Sequence, residues 1–184
     1  MNLALVIGPQ SEPVAIAEAK LHARITITSE DSMIQELIIA ARQFAESFTR
    51  RRLITQTWDG LLDCFPAWGI EMPHAPLISV TSIQYIDTAG GLQTLNPTTY
   101  VVDVKSSPGR ITPAFGQTWP PTRTELNAVT IRFVCGYGNA SAVPDSIKNA
   151  MKLHIQAHYD RGEQMEALVD AAERLLAPYR LIRF

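Results

Sequence analysis

The sequence predicts an α+β protein, in which N- and C-terminal helices form a small bundle and an antiparallel β module, a sandwich or a barrel, is inserted between them. Apolar residues recur at helical spacing within residues 11–53 and again within 136–178. The intervening residues 54–135 hold eight of the twelve prolines, six of the ten glycines and all three tryptophans. Short β-rich runs alternate with turn residues there, which is typical of antiparallel strands.

The composition favours a protein that assembles with other proteins. A chain of 184 residues is long enough for one domain, or for one domain with an insertion, that buries its core without disulfides or metals. Charged residues make up 18% of the chain, which is below the roughly 25% usual for globular proteins. Either the surface is lightly charged or partners cover apolar surface, and we favour the second. The net charge of −2 supplies no basic field for nucleic acid.

Two helices are predicted in residues 11–53. A capping serine and an early proline precede residues 14–21, which are rich in the helix-compatible residues Ala, Glu and Lys. The β-branched residues of 25–28 end this helix, and residues 29–32 offer a capping serine and acids for a second start. A long amphipathic helix over about 30–50 follows. Its apolar positions recur at 3.6-residue spacing and are Ile34, Leu37, Ile38, Ala41, Phe44, Ala45 and Phe48.

Six strands are predicted in the β module. Each is a short run of β-branched or aromatic residues bounded by turn residues. Ala89-Gly90-Gly91 marks a hairpin turn, and Ser107-Pro108-Gly109 marks another more loosely. The predicted strands lie near residues 54–64, 77–87, 92–95, 99–104, 110–112 and 127–135.

Helical periodicity returns in residues 136–178. Pro144-Asp145 opens one helix, Gly162 interrupts it, and a second helix ends at Pro178. The apolar stripe of this second helix, at i, i+3, i+4, i+7 spacing, consists of Met165, Leu168, Val169, Ala172, Leu175 and Leu176. Because each apolar stripe needs a partner, we expect the N- and C-terminal helices to pack together.

The cysteines and the first residues give no sign of export. Cys64 and Cys135 are too few for a disulfide framework, so a reduced, cytoplasmic history is expected, and both are predicted to be small apolar core residues in or beside strands. The apolar patch of residues 1–8 is short and follows no Lys or Arg, unlike a signal peptide. No run approaches the roughly 18 apolar residues of a membrane span.

His154 and His158 are the candidate metal ligands. Two histidines four residues apart share one helical face and can bind zinc. The metalloprotease motif also needs Glu after the first His, whereas Ile155 stands there, and Asp160 lies off the pair's face. We therefore favour two histidines at the edge of a helix interface. A metal-dependent hydrolase that uses this pair is kept as an alternative.

Two further groups have an ordinary interpretation beside a functional one. Residues 50–52 are three arginines that could contact nucleic acid, but cations at a helix C-terminus are more often solvated or ion-paired. Trp58, Trp68 and Trp119 could form a stacking platform for glycans or bases. More often such residues form the core and rim of a small β module.

The C-terminal segment 179–184 is a candidate docking element. It follows a helix-ending proline and alternates apolar with basic residues. A free segment of this composition would expose large apolar side chains to water, so it either folds back as an edge strand or docks on a partner. The candidate partner-binding residues are Tyr179, Arg180, Leu181, Ile182, Arg183 and Phe184.

Taken in order, several segments resemble one family along nearly the whole chain. The segments are Ala17–Ile25, Ala40-Ala41, Phe48-Thr49, Leu53–Trp58, Pro76–Tyr85, Tyr100, Trp119-Pro120, Phe133–Gly138, Val143–Lys148 and Leu175–Arg180. In their order and spacing they are similar to the head–tail connector proteins, also called adaptor or head-completion proteins, of long-tailed bacteriophages and gene-transfer particles. Members of this family are helical bundles, some with an inserted β module.

The resemblance implies a structural virion protein at the head–tail interface, present in the host cytoplasm during assembly. Such proteins form a ring, usually of twelve subunits, below the portal protein. The ring extends the DNA channel and offers a surface to the next connector, a stopper or tail-side protein. It implies no catalytic residues, no cofactor, no metal and no membrane, and DNA passes without sequence-specific binding. By analogy, residues 178–184 dock on the portal. The helix over 30–50 is expected to lie at the interface between neighbouring subunits or along the channel. A tail-side glycan-binding module is a further alternative.

Overall fold

The computed structural model describes residues 1–160 and 162–181 and divides the chain into two compact units. The β unit comprises Met1–Gly8 with Thr55–Gly136, and the helical unit comprises Pro9–Ile54 with Tyr137–Phe184. Within the described residues the elements are four α-helices, eight strands and three short 3-10 helices. The predicted α+β class, with a helical bundle from both ends of the chain and an inserted antiparallel β module, is confirmed.

The helical unit is a small bundle. Its helices are α1 (Ile16–Ala23), α2 (Asp31–Thr49), α3 (Asp145–Asp160) and α4 (Met165–Leu176). They share one core, so the expected packing of N-terminal helices against C-terminal helices is confirmed. The largest fully buried side chains of this core are Ile34, Ile38, Leu53, Ile147, Met151, Ile155 and Leu176.

The last helix buries less of its stripe than its periodicity suggests. Ala172 and Leu176 are fully buried, whereas Met165 and Leu175, near the two ends of α4, remain more than a third exposed. The regular spacing of apolar residues predicts which face of a helix is buried. It does not predict how much of the length of that face the neighbouring helices cover. Within the described residues no helix is both long and apolar enough to cross a membrane.

The β unit consists of two antiparallel sheets that enclose one core. The larger sheet has the order β1-β2-β8-β4-β5 and the smaller has the order β3-β7-β6. Both sheets are open, so they form a sandwich-like pair and not a closed barrel. The strands are β1 (Asn2–Ile7), β2 (Gln56–Leu62), β3 (Ile70–Glu71), β4 (Leu77–Ile86), β5 (Leu92–Thr94), β6 (Tyr100–Asp103), β7 (Arg110–Pro113) and β8 (Val129–Cys135).

The six strands predicted from the sequence are all present. The central strand β8 alternates in burial: Val129, Ile131, Phe133 and Cys135 are buried, and the residues between them are more exposed. The turn between β4 and β5 is built on Asp87, whose Oδ1 accepts the backbone N–H groups of Ala89 at 3.0 Å and Gly91 at 2.9 Å. Side-chain acceptance of this kind is what makes Asp a turn residue.

Two strands and one cysteine depart from the sequence expectation. Residues 2–7 form β1 and residues 70–71 form β3, and neither was predicted as a strand. Cys135 is buried in the core, as predicted, but Cys64 is exposed, so its predicted core role is wrong. Cys64 follows the end of β2 by two residues, in a loop where the alternation of the strand no longer turns side chains inward.

Candidate docking surfaces

The described part of the C-terminal segment returns to the end of α2. The backbone N–H of Leu181 donates to the carbonyl oxygen of Thr49 at 3.0 Å. The Nε of Arg51 donates to the carbonyl oxygen of Tyr179 at 2.6 Å. The side chain of Leu181 is buried, with 9% of the residue exposed. The main chain of residues 179–181 is therefore fastened to the helical unit at two points.

The conformation of the C-terminal end of α2 explains why residues 179–181 bind there. Arg50 ends the helix in the left-handed conformation, with φ 58° and ψ 25°. The last carbonyl groups of a helix have no partner within the helix and need one from elsewhere. The carbonyl of Thr49 obtains it from Leu181, while the Thr49 hydroxyl donates to the carbonyl of Ala45 at 2.6 Å.

Buried charges support the same end of α2. Glu46 is only 4% exposed, and its Oε1 accepts the backbone N–H of Leu53 at 2.9 Å. Its Oε2 lies 3.3 Å from Arg42 Nη1 and 3.4 Å from Arg52 Nη1. Arg42, which is 8% exposed, also pairs through Nε with Glu12 at 2.8 Å. Two cations and a backbone donor thus satisfy one buried carboxylate.

This network decides between the interpretations of the arginine cluster. Arg51 is bound to Tyr179 and Arg52 to Glu46, both within the helical unit. Arg50 is exposed at the helix end. The ion-paired interpretation of residues 50–52 is therefore supported, since cations that hold the fold together are not arranged to follow a phosphate backbone.

The six predicted docking residues differ in burial, and three of them lie outside the described residues. Tyr179 is half-buried against the helical core, and Leu181 is buried. Arg180 is exposed, and its guanidinium carbon lies 5.5 Å from the centroid of the Phe48 ring, within the range of a cation–π contact. Ile182, Arg183 and Phe184 lie outside the described residues. Of the three described residues, two anchor the segment and one faces solvent.

The long helix α2 has an exposed face opposite its buried one. This is the helix that sequence analysis assigned to the subunit or channel wall. Its exposed side chains are uncharged except for one glutamate, so the face is weakly charged. The exposed residues are Ser32, Met33, Glu36, Ala40, Gln43 and Ser47.

The candidate metal ligands are packed within α3. The rings of His154 and His158 stack with centroids 4.1 Å apart, and Phe44 stacks on His154 at 4.4 Å. His158 Nδ1 lies 2.9 Å from the carbonyl oxygen of His154. Burial, with a smaller contribution from His158, lowers the pKa of His154 to about 4. The stacking of Phe44 on the buried His154 favours the interface interpretation of the pair. Among the described residues no group of three His, Cys, Asp or Glu side chains could hold a metal ion.

The three tryptophans have different environments. Trp58 is half-buried, its Nε1 donates to Gln56 Oε1 at 3.1 Å, and its ring lies 4.7 Å from that of His74. Trp119 stacks on Phe65 at 4.8 Å with the rings 5° from parallel. Both are partly buried and pack against the core of the β unit. Trp68 is 93% exposed. These environments favour the interpretation of the three tryptophans as core and rim residues over a shared stacking platform.

A surface that sequence analysis did not identify lies along β1. Leu5, Val6 and Ile7 are 52%, 41% and 51% exposed on the outer strand of the five-stranded sheet. The only signal in the sequence was the absence of any charge from residues 1–8.

Comparison with known proteins relates part of the chain to one family. Residues 14–88 match the family model described as Phage gp6-like head-tail connector protein. The match covers α1, α2 and the first strands of the inserted β unit. No curated protein sequence matches the chain.

Solved structures share the fold over the whole chain. A chain of the structure described as "Virion of native gene transfer agent (GTA) particle" has a TM-score of 0.84 and 23% identity, over 100% of this chain and 97% of that chain. Chains of two neck structures, of the empty particle computed with C6 symmetry and of the native particle computed with C12 symmetry, each have a TM-score of 0.79. Their identities are 21% and 24%, with the same coverage. The family match over residues 14–88 confirms that this chain resembles the head–tail connector proteins, and the solved structures show that its fold is shared over the full length.

Proposed function

We propose that this chain is a structural subunit of a virion neck, where copies of it form a closed ring that connects the head to the tail. The observation that carries the proposal is the match in fold over the entire chain, at a TM-score of 0.84, to a chain of a gene transfer agent virion. The family match adds the head–tail connector role. Neck structures computed with C6 and C12 symmetry support a ring, and twelve subunits fit both.

The ring sits below a portal protein, extends the channel for DNA, and offers its far side to a stopper or tail-side connector. A ring needs a head-to-tail contact in which each subunit buries two different patches. The net charge of −2 suits a channel that DNA must slide through, because a basic lining would retain the phosphates. The work of this protein is therefore assembly and passage, without a chemical step of its own.

The C-terminal segment is the portal-docking element in this proposal. Its first half is fastened by the bonds from Leu181 to Thr49 and from Arg51 to Tyr179. A segment whose root is already ordered loses less conformational entropy on docking than a free one. Ile182, Arg183 and Phe184 supply apolar and basic groups beyond that root, and Arg180 adds an exposed cation.

Mass measurement in solution tests the ring. The full chain, alone and mixed with a purified portal protein, is examined by native mass spectrometry or light scattering. A closed oligomer on the portal, at a ratio of one subunit to each portal subunit, is the expected result. A chain that stays monomeric with and without portal contradicts the proposal.

A further inference from the structure

The outer strand β1 lacks the charges and prolines that often protect a sheet edge, although its register with β2 shifts between Leu5 and Ile7. It runs for six residues, Asn2–Ile7, and pairs only with β2 among the described strands. Its other side presents a row of backbone N–H and C=O groups. Natural edges are usually short or carry charges, prolines, β-bulges or inward-pointing charged groups. Residues 1–8 contain no charged residue and no proline.

The side chains of β1 are apolar on both faces of the sheet. Leu5 lies opposite the half-buried Trp58 in the ladder, on the core side, and is 52% exposed. Ala4 lies opposite Asp59, on the other face, and is also exposed. Strands that are apolar on both faces are typical of sheets whose two faces are both covered by other parts of a protein. β1 thus exposes apolar side chains at the edge of the sheet, where another molecule can cover them.

The outer strand of the smaller sheet provides a contrast. Val101 on β6 is 54% exposed, but this strand ends at Asp103, which pairs with Arg110 at 3.0 Å. The side-chain and backbone hydrogen bonds that Asp103 accepts from Ser106, together with Arg110, keep its pKa well below the usual range. A fixed charge at the end of an edge strand opposes the approach of another strand.

The same five-stranded sheet has a second open edge at its opposite side. This edge is β5, whose three residues Leu92, Gln93 and Thr94 are all exposed. Leu92 is 67% exposed, and none of the three is charged. One chain therefore carries two different uncharged sheet edges that face in opposite directions. A head-to-tail contact between identical subunits requires two such patches.

We propose that β1 of one copy pairs with β5 of the next copy, so that the five-stranded sheets continue from subunit to subunit around the ring. The inference rests on the proposed ring and names its contact. Unpaired backbone groups along an extended strand are complementary to another strand. A second copy is the occupant because a closed ring then covers both edges in every subunit, whereas a foreign strand on β1 leaves β5 open. The short β5 gives about three residue pairs, and the rest of β1 packs its apolar side chains on the neighbour.

A matched pair of lysine substitutions tests the contact. Val6→Lys adds a charge to the exposed side of β1, and Val101→Lys adds the same charge to an exposed valine on β6. The concentration at half-assembly is measured on the full chain, by mass photometry with portal present. We expect at least a tenfold increase for Val6→Lys and less than a twofold change for Val101→Lys, with circular dichroism melts confirming that both fold. Equal effects of the two substitutions, or normal assembly of Val6→Lys, overturn the proposal.

Cross-linking supplies a second, independent measurement. In a Cys64→Ser background the double substitution Val6→Cys and Gln93→Cys places one thiol on each edge. On oxidation of assembled rings we expect a ladder of covalent oligomers, and no ladder from either single substitution. Rings that assemble but do not cross-link overturn the β1–β5 contact and leave the proposed ring standing. Covalent dimers from Val6→Cys alone indicate a symmetric β1–β1 contact and also overturn it. If the wild-type chain forms no ring, the proposed function fails and this contact fails with it.

Discussion

The backbone N–H of Leu181 donates to the carbonyl oxygen of Thr49 across 3.0 Å, so the last described residue is joined to the last turn of α2. These two residues are far apart in the sequence, yet the bond satisfies a carbonyl group that the helix leaves without an internal partner. Residues 179–181 therefore belong to the helical unit. The residues after Leu181 start from a fixed point, which separates the root of the segment from its candidate docking end.

Two truncations distinguish root from docking end. A chain that ends at Leu181 keeps both anchoring bonds, so its melting temperature is expected to stay within about 1 °C of the full chain while attachment to portal weakens. A chain that ends at Pro178 also loses the buried Leu181, and we expect a loss of about 2 to 3 kcal/mol of stability from burial and hydrogen bonding together. Thermal melts and portal pull-down measure the two effects. Unchanged attachment of the chain that ends at Leu181 would show that residues 182–184 do not dock.

Glu46 is expected to be essential to the stability of the helical unit. Glu46→Ala removes the carboxylate that faces Arg42, Arg52 and the N–H of Leu53. Breaking a buried ion pair from one side costs about 3 to 5 kcal/mol, and Arg42 keeps its bond to Glu12, so we expect about 3 kcal/mol.

Urea denaturation with Glu36→Ala as the control checks this value. Glu36 lies on the exposed face of the same helix, so removal of the same side chain there is expected to change stability by less than about 0.5 kcal/mol. A loss for Glu46→Ala no larger than that of the control would show that the network is not stabilising.

Stability is expected to fall as the pH drops from 7 towards 4. The pKa of His154 is about 4 in the folded chain, against an ordinary value of 6.5, so the unfolded chain binds the extra proton between these values. The stabilisation that comes from a neutral His154 is complete above about pH 6.5 and is lost towards pH 4, at up to about 1.4 kcal/mol for each pH unit.

The variant His154→Phe tests the assignment of this pH dependence. Phenylalanine keeps a ring against Phe44 and His158 but cannot take up a proton. Burial also lowers the pKa of His22, so some pH dependence is expected to remain in the variant. An unfolding free energy with the same slope between pH 4.5 and 6.5 in both proteins would contradict the role given to His154.

The two cysteines are expected to differ in reactivity. Cys64 is exposed and Cys135 is fully buried in the β unit, so a thiol reagent should modify one cysteine per folded chain and two after unfolding. The variant Cys64→Ser should show no rapid modification until it unfolds. Rapid labelling of this variant under native conditions would mean that the core around Cys135 opens.

Local chemistry explains which parts of the β unit could be predicted. The strands from β4 onward have turn residues at their ends, and Asp87 with its two backbone bonds shows why such a turn is specified locally. β3 has two residues and exists through its pairing with Ile111 and Arg110, which lie some forty positions later. β1 pairs with residues 57–61, fifty or more positions later, and its apolar residues do not alternate. Period-two patterning cannot detect such a strand.

The candidate site was predictable in part for similar reasons. The composition of residues 179–184 indicated a segment that must be covered, and Leu181 is covered by the helical unit itself. Which residues hold it could not be foreseen, because the acceptor at Thr49 is created by the left-handed turn at Arg50. The arginine cluster was recognised, but the assignment of Arg51 to Tyr179 depends on tertiary contact. The apolar periodicity of the sequence was enough to predict the helices. The hydrogen-bond partners of their ends depend on long-range packing and could not be predicted.

Electron cryomicroscopy of the chain assembled on its portal is the most direct measurement of the central claim. The account predicts a closed ring below the portal with one copy of this chain per portal subunit, with residues 182–184 in contact with the portal. A single copy bound off the symmetry axis, or a portal that carries no density for the chain under conditions where the two co-purify, would contradict it.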